Sequence, residues 1–242
     1  MNTPTLRIAD PAVDHVADEQ AILHALLPLD GAQVLELGCG KAEKTRLMAQ
    51  SAASVLALEV DATQLAANQA SAAPANIRFE YGGAEAIPAA DDSIDIVTMF
   101  KSLHHVPTEL MDAALAEIRR VLKPGGLAYI SEPVYAGDFN EILRLFHDER
   151  AVREAAFAAV QKALAENQLA LVQQTFFLQP MHFEDFAQYE ARILKVTHTD
   201  HRLTPELLET VRARFEAHLT PQGATFHMPI RVDLLRKAGT SA

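Results

Sequence analysis

Apolar positions in the first half of the chain fall into two alternating kinds of run. Short, largely apolar stretches at residues 34–37, 55–60, 94–100 and 127–131, and the alternating Ile77–Tyr81, predict strands, the first of them buried. Between them the spacing changes to that of helices, from the end of the first strand to about Gln50 and over 62–70, where Asp61 precedes as an N-cap. A further helix follows Thr108, read as its cap, with Met111, Ala114, Leu115, Ile118 and Leu122 on one apolar stripe. Lys123-Pro124-Gly125-Gly126 stops it, because proline cannot continue a helix and glycine opens the turn. Strand and helix in alternation predict a mostly parallel sheet with crossover helices.

The second half reads differently. Residues 139–165 have helical spacing with a break near His147, 171–178 a strand, and 183–219 helix in two pieces. In the second piece Thr204 caps, Pro205 takes the first helical position, and Leu208, Val211, Phe215 and Leu219 form the buried stripe. Last comes strict alternation, with Phe226, Met228, Ile230, Val232 and Leu234 on one face and His227, Arg231 and Asp233 on the other. That predicts a half-buried strand, and Pro229 places it at an edge or a bulge.

Composition narrows the classes. Of 242 residues, 49% are hydrophobic and 22% charged, ordinary for a globular chain with a sizeable core. No apolar run approaches the roughly 18 residues of a membrane span, and the first residues lack a signal-peptide layout, so the expected compartment is the cytoplasm. The net charge of −11 argues against nucleic acid as a partner. A single cysteine, Cys39, excludes an intramolecular disulfide and any multi-cysteine zinc site. The 10 histidines invite a metal, but His182, His198, His201, His218 and His227 form no paired ligand spacing on a helix face, so no metal is expected.

The chemistry sits at the end of the first strand. Glu36-Leu37-Gly38-Cys39-Gly40 leads into a helix through a turn whose backbone a ligand can approach, since neither glycine carries a Cβ. Helix N-termini attract anionic groups, and in open α/β sheets the ligand crevice lies beyond the carboxyl ends of the strands. Glu59 ends the second strand, where a carboxylate can accept both hydroxyls of a ribose. The segment Gly82-Gly83-Ala84-Glu85-Ala86-Ile87-Pro88 follows the third strand, where an adenine would lie.

With these features in order, and with Ile94-Asp95-Ile96-Val97 and Arg119-Arg120-Val121-Leu122-Lys123-Pro124-Gly125-Gly126 after them, the chain resembles the class I S-adenosylmethionine-dependent methyltransferases, in particular the small-molecule group that includes ubiquinone-biosynthesis enzymes. The resemblance covers about 34–132. It implies an α/β Rossmann-like fold with a seven-stranded sheet whose last strand is antiparallel. It also implies one domain over 1–242, with a cofactor half at about 30–135, a substrate half at about 136–242, and a helical insertion at about 182–220. By the same resemblance Glu36, Gly38, Cys39 (through its backbone) and Gly40 hold the methionine part of S-adenosylmethionine. Glu59 holds the ribose, Ala84 and Glu85 border the adenine, and Phe100 meets the methionine end through its backbone.

Two positions depart from the family pattern. Ala42 replaces the third glycine of the turn, and alanine is expected to fit a helical start. Gly83 stands where an acid usually meets the adenine, so Glu85 or backbone groups must replace it. Candidate catalytic residues follow the fourth and fifth strands: His104, His105, Glu132 and Tyr135, with His105 preferred because phosphoethanolamine methyltransferases place a histidine at what looks like its position. Lys101 is expected to hold an anionic acceptor, unless it faces solvent or pairs with Glu132 or another pocket acid. The expected partner is a small-molecule methyl acceptor, with the protein a monomer or homodimer. Two alternatives stay open: a nicotinamide-dependent Rossmann oxidoreductase, against which stands Glu43 in place of a glycine, and a non-catalytic cofactor-binding partner protein.

Overall fold

The computed structural model describes residues 6–195 and 203–238. In chain order the elements are α1 (Glu19–Leu26), β1 (Gln33–Leu37), α2 (Glu43–Met48), β2 (Ser54–Glu59), α3 (Ala62–Ala70), β3 (Ile77–Tyr81), β4 (Ile94–Phe100), α4 (Met111–Val121), β5 (Leu122–Pro133), α5 (Asp138–Leu143), α6 (Arg150–Ala165), β6 (Leu169–Phe183), α7 (Phe186–Tyr189), α8 (Pro205–Glu216) and β7 (Ala224–Lys237). The strands form one sheet in the order β3-β2-β1-β4-β5-β7-β6. β1 to β5 run parallel, and β7 lies antiparallel between β5 and β6. The order reverses between β1 and β4, which sets the crevice at their carboxyl ends.

Alternation along each strand splits the core in two. Leu35, Leu37, Leu56, Leu58, Val97 and Met99 face one side, under α4 and α6. Val34, Val55, Ile96 and Tyr129 face the other, under α1 and the Met48 end of α2. A third, aromatic cluster gathers Phe139, Phe183, Phe186, Tyr189, Phe215 and Phe226 where α5, α7 and α8 cover the ends of β6 and β7. No helix among the described residues is long and apolar enough to cross a membrane.

Several expectations need correcting. β7 is an interior strand, not an edge, and both faces are covered: Arg231 is 2% exposed and Asp233 fully buried. They pair with each other at 2.8 Å, and Gln174 also donates to Asp233. Pro229 is tolerated because the β5 ladder has just ended at Pro133, and the Val134 carbonyl beyond it already accepts from Ala136. Thr108 does not cap α4. It begins a 3-10 turn over Thr108–Leu110, and its hydroxyl bonds Glu109. Leu122 opens β5 rather than closing the helix, although it is fully buried as predicted. Leu219 is 38% exposed and outside the stripe, whereas Thr204 and Asp61 do cap their helices. His198 and His201 lie outside the described residues.

Candidate active site

The turn after β1 is built for close approach. Gly38 has φ +73°, and a Cβ on it would lie 2.9 Å from the Ser102 Cβ, so the loop after β4 packs directly on the turn. The Ser102 hydroxyl donates to the Leu37 carbonyl at 2.8 Å and locks that contact. Gly40 has φ +50°, but a Cβ there would meet nothing within 4 Å. The space above it is open, as a ligand cradle requires. Ala42 corrects an expectation: it is left-handed (φ 59°) and buried, so an alanine carries the strain that a glycine would avoid. Burial, with the charges of Glu36 and Glu59, pushes the Cys39 thiol up to about 12, which leaves it no nucleophilic role.

Two buried carboxylates organise this end. Glu36 bonds the Thr45 hydroxyl at 2.5 Å, and burial pushes its carboxyl up to about 8 against that bond and the Lys44 charge. Glu59 accepts the Gly40 N–H at 2.8 Å on one oxygen and the Val60 and Asp61 N–H groups at 2.8 and 2.9 Å on the other. A carboxylate offers about four lone-pair sites, so three are engaged in tying the turn to β2. After β3, the Glu85 carboxylate oxygens lie 2.3 and 2.4 Å from where a Cβ on residue 83 would stand. Glu85 thus fills the place that a side chain at Gly83 would otherwise occupy, beside buried Ala84. Phe100 ends β4 with its ring 5.5 Å from that of Tyr129.

The groups beyond β4 and β5 form two networks. Lys101, left-handed at φ 55°, pairs with Glu19 of α1, and the Ser131 hydroxyl bonds the other Glu19 oxygen. The pocket-acid alternative holds for Lys101, with Glu19 as the acid. In the second network His104 Nδ1 lies 2.5 Å from Glu132, whose other oxygen accepts the Leu103 N–H. Burial opposes charge on His104, but Glu132 and Glu149 outweigh it and lift the imidazole to about 9. Glu149 is bonded by Arg153 at 2.5 Å, and His104 and Arg153 hold its carboxyl well below the usual range against the effect of burial. His105 is exposed, its ring 4.1 Å from that of His104. Tyr135 lies under the Arg150 guanidinium at 4.4 Å.

A family profile described as "Methyltransferase domain" matches residues 34–126. Over these residues the chain is similar to the class I S-adenosylmethionine-dependent methyltransferases. It is 35% identical over 100 residues to the uncharacterized methyltransferase YcgJ of Bacillus subtilis, covering 39% of each chain. It is 30% identical over 176 residues to the 27-O-demethylrifamycin SV methyltransferase of Amycolatopsis mediterranei, covering 69% of this chain and 61% of that one. The matches thus span about two-fifths to three-fifths of these relatives' lengths. The solved YcgJ structure superposes with a TM-score of 0.67 at 19% identity, over 91% of this chain and 98% of that one, which establishes the shared fold.

For this methyltransferase domain the residues present fit the cofactor of its relatives: open space above Gly40, a buried carboxyl group at Glu36, and a carboxylate at Glu59 fastened to the same turn. The open surface of the crevice is distinct from a cleft of about 410 Å³ at the opposite end of the sheet, lined by residues such as Asp30, Asp95 and Lys123. Sequence reasoning missed Glu19, Glu149 and Arg153. Asp18 preceding Ile22, Leu23 and Leu26 was the available signal for α1, but nothing local marks Glu19 as buried.

Proposed function

We propose that this methyltransferase moves a methyl group from S-adenosylmethionine to a small organic acceptor held beyond β4 and β5. The observation that carries the reading is the open turn at Gly40, whose N–H is fastened to Glu59 at the end of the neighbouring strand. Glu36, Gly38, the Cys39 backbone and Gly40 hold the methionine part. Glu59 holds the ribose, Ala84 and Glu85 border the adenine, and the Phe100 backbone meets the methionine end. When bound, the cofactor supplies an electrophilic sulfonium methyl. The chain's contribution to displacement is chiefly alignment of the acceptor.

A general base is required only where the acceptor carries a proton. His105, exposed beyond β4, and Tyr135, beyond β5, are the side chains for that role. Lys101 contributes by holding α1 through Glu19, so it supplies no uncompensated charge for an anionic acceptor. The relative named for 27-O-demethylrifamycin supports an organic acceptor. The test is equilibrium binding of labelled S-adenosylmethionine with a nicotinamide dinucleotide as competitor, followed by label transfer into small molecules of a cell extract. Saturable binding unaffected by the dinucleotide, with transfer, is the expected result. Preference for the dinucleotide would overturn the reading.

A further inference from the structure

His104, His105 and the residues just before α6 converge beyond the carboxyl end of β4. His104 is 4% exposed, and its ring is fixed from one side by the 2.5 Å contact between Nδ1 and Glu132. A carboxylate on one ring nitrogen orients the other toward a ligand position. Nε2 points at Glu149, whose Oε1 lies 3.6 Å away. That is too long for a hydrogen bond. It is close to the spacing of two ligands on one cation, since bonds of about 2.0–2.2 Å at a tetrahedral centre leave ligand atoms roughly 3.3–3.5 Å apart.

The remaining contacts complete such a site. Ligand atoms of His104, His105 and Glu149 all lie within 4.8 Å of one another, which makes them the one group of this kind among the described residues. Glu149 is anchored through its other oxygen by Arg153, so Oε1 remains on the side of the histidines. His147 Nε2 approaches that same oxygen at 3.0 Å from the more open side. Two buried ligands, each with its own supporting partner, and an exposed third form a three-ligand set, with His147 beside it. Imidazole and carboxylate without thiolate match borderline first-row divalent ions.

We propose that His104, His105 and Glu149 bind one divalent cation of the zinc class, with His147 at its rim. The entering cation takes the Nε2 position of His104, and any proton there passes to solvent. With its ring nitrogen on the cation, His105 leaves the general-base role to Tyr135, and the site adjoins the carboxyl end of β4, where the cation can polarise an oxygen or nitrogen of a bound molecule. The ligands are separated by more than forty positions in sequence, between His105 and Glu149, which is why histidine spacing alone argued for no metal.

The test is calorimetric titration of the chelator-stripped full chain with Zn²⁺, and visible absorption with Co²⁺, at neutral pH. Wild type should bind one Zn²⁺ per chain and develop Co²⁺ ligand-field bands. His105→Ala should weaken binding at least about tenfold and remove the bands, while His24→Ala, on α1, should leave both unchanged. Glu149→Gln should also weaken binding, but it disturbs Arg153, so the exposed His105→Ala decides. Absence of a saturable site in wild type, or unchanged affinity in a folded His105→Ala variant, overturns the assignment. These readouts do not depend on methyl transfer, so failure of one reading leaves the other intact.

Discussion

The Lys101 ammonium closes on Glu19, a fully buried carboxylate of α1 that also accepts the Ser131 hydroxyl. The pair fastens the N-terminal helix to the strand ends β4 and β5 at the mouth of the crevice. Lys101→Met leaves Glu19 buried without its cation. Breaking a buried pair is expensive, but the lysine side chain retains 27% exposure, so screening reduces the loss. Unfolding free energy should drop on the order of 2 kcal/mol. Denaturant titration should also show a smaller combined loss in Lys101→Met/Glu19→Gln than the sum of the single variants. Additive losses would separate the two residues.

Glu59 accepts three backbone N–H groups, so its removal must be felt in the fold as well as in binding. Glu59→Ala should weaken S-adenosylmethionine affinity by roughly tenfold to a hundredfold and lower the melting temperature. Glu59→Gln, which retains an acceptor oxygen, should recover most of the stability and little of the affinity. Equal affinity in Glu59→Gln and wild type would remove Glu59 from the ribose site.

The open space at Gly40 makes the opposite prediction for that residue. Gly40→Val should abolish cofactor binding, since a β-branched side chain enters the cradle and resists the left-handed backbone. Calorimetry on the folded variant decides; near-native affinity would show that the turn is purely structural.

The overlap of Glu85 with the missing side chain of Gly83 predicts a compensation. Glu85→Ala should weaken cofactor binding by about tenfold, the loss of one charge-assisted hydrogen bond. Adding Gly83→Asp to Glu85→Ala should restore it, because the new carboxylate grows into the vacated place. Failure of the double variant to recover affinity would assign adenine contact to the backbone.

Glu36 links the site to pH. Its carboxyl stands at about 8 in the folded chain against a usual 4.5, chiefly because burial disfavours its charge. Between these values the unfolded chain binds fewer protons than the folded one, so Glu36 makes stability fall as pH rises, by up to about 1.4 kcal/mol per pH unit. In Glu36→Gln that contribution is absent. The unfolding free energy of the variant minus that of wild type should therefore grow from about pH 4.5 to about pH 8 and then level off. A flat difference would show that Glu36 is already ionised in the fold.

Local pattern made much of this molecule legible. The strands at 77–81 and 94–100 and the helix at 62–70 lie where apolar spacing placed them, the second because it is buried along nearly its whole length. The glycine turn and the acid ending β2 were also readable, since close backbone approach and strand-end position are properties of a few neighbouring residues. Pro229 misled because its tolerance depends on where β5 stops, and the Ala42 conformation depends on the turn it closes.

The sequence by itself determined the α/β class, the cofactor turn and the likeness of residues 34–126 to a methyltransferase domain, all of which rest on short-range periodicity and spacing. Only the tertiary structure decided what Lys101, Gly83 and the histidine pair face. Lys101 meets Glu19, Gly83 is covered by Glu85, and His104 and His105 meet Glu149. The first and last of these meetings join residues dozens of positions apart, and there the partner is chosen by how chain segments pack and by the cost of leaving a buried charge unpaired. Neither quantity is carried by any local run of residues.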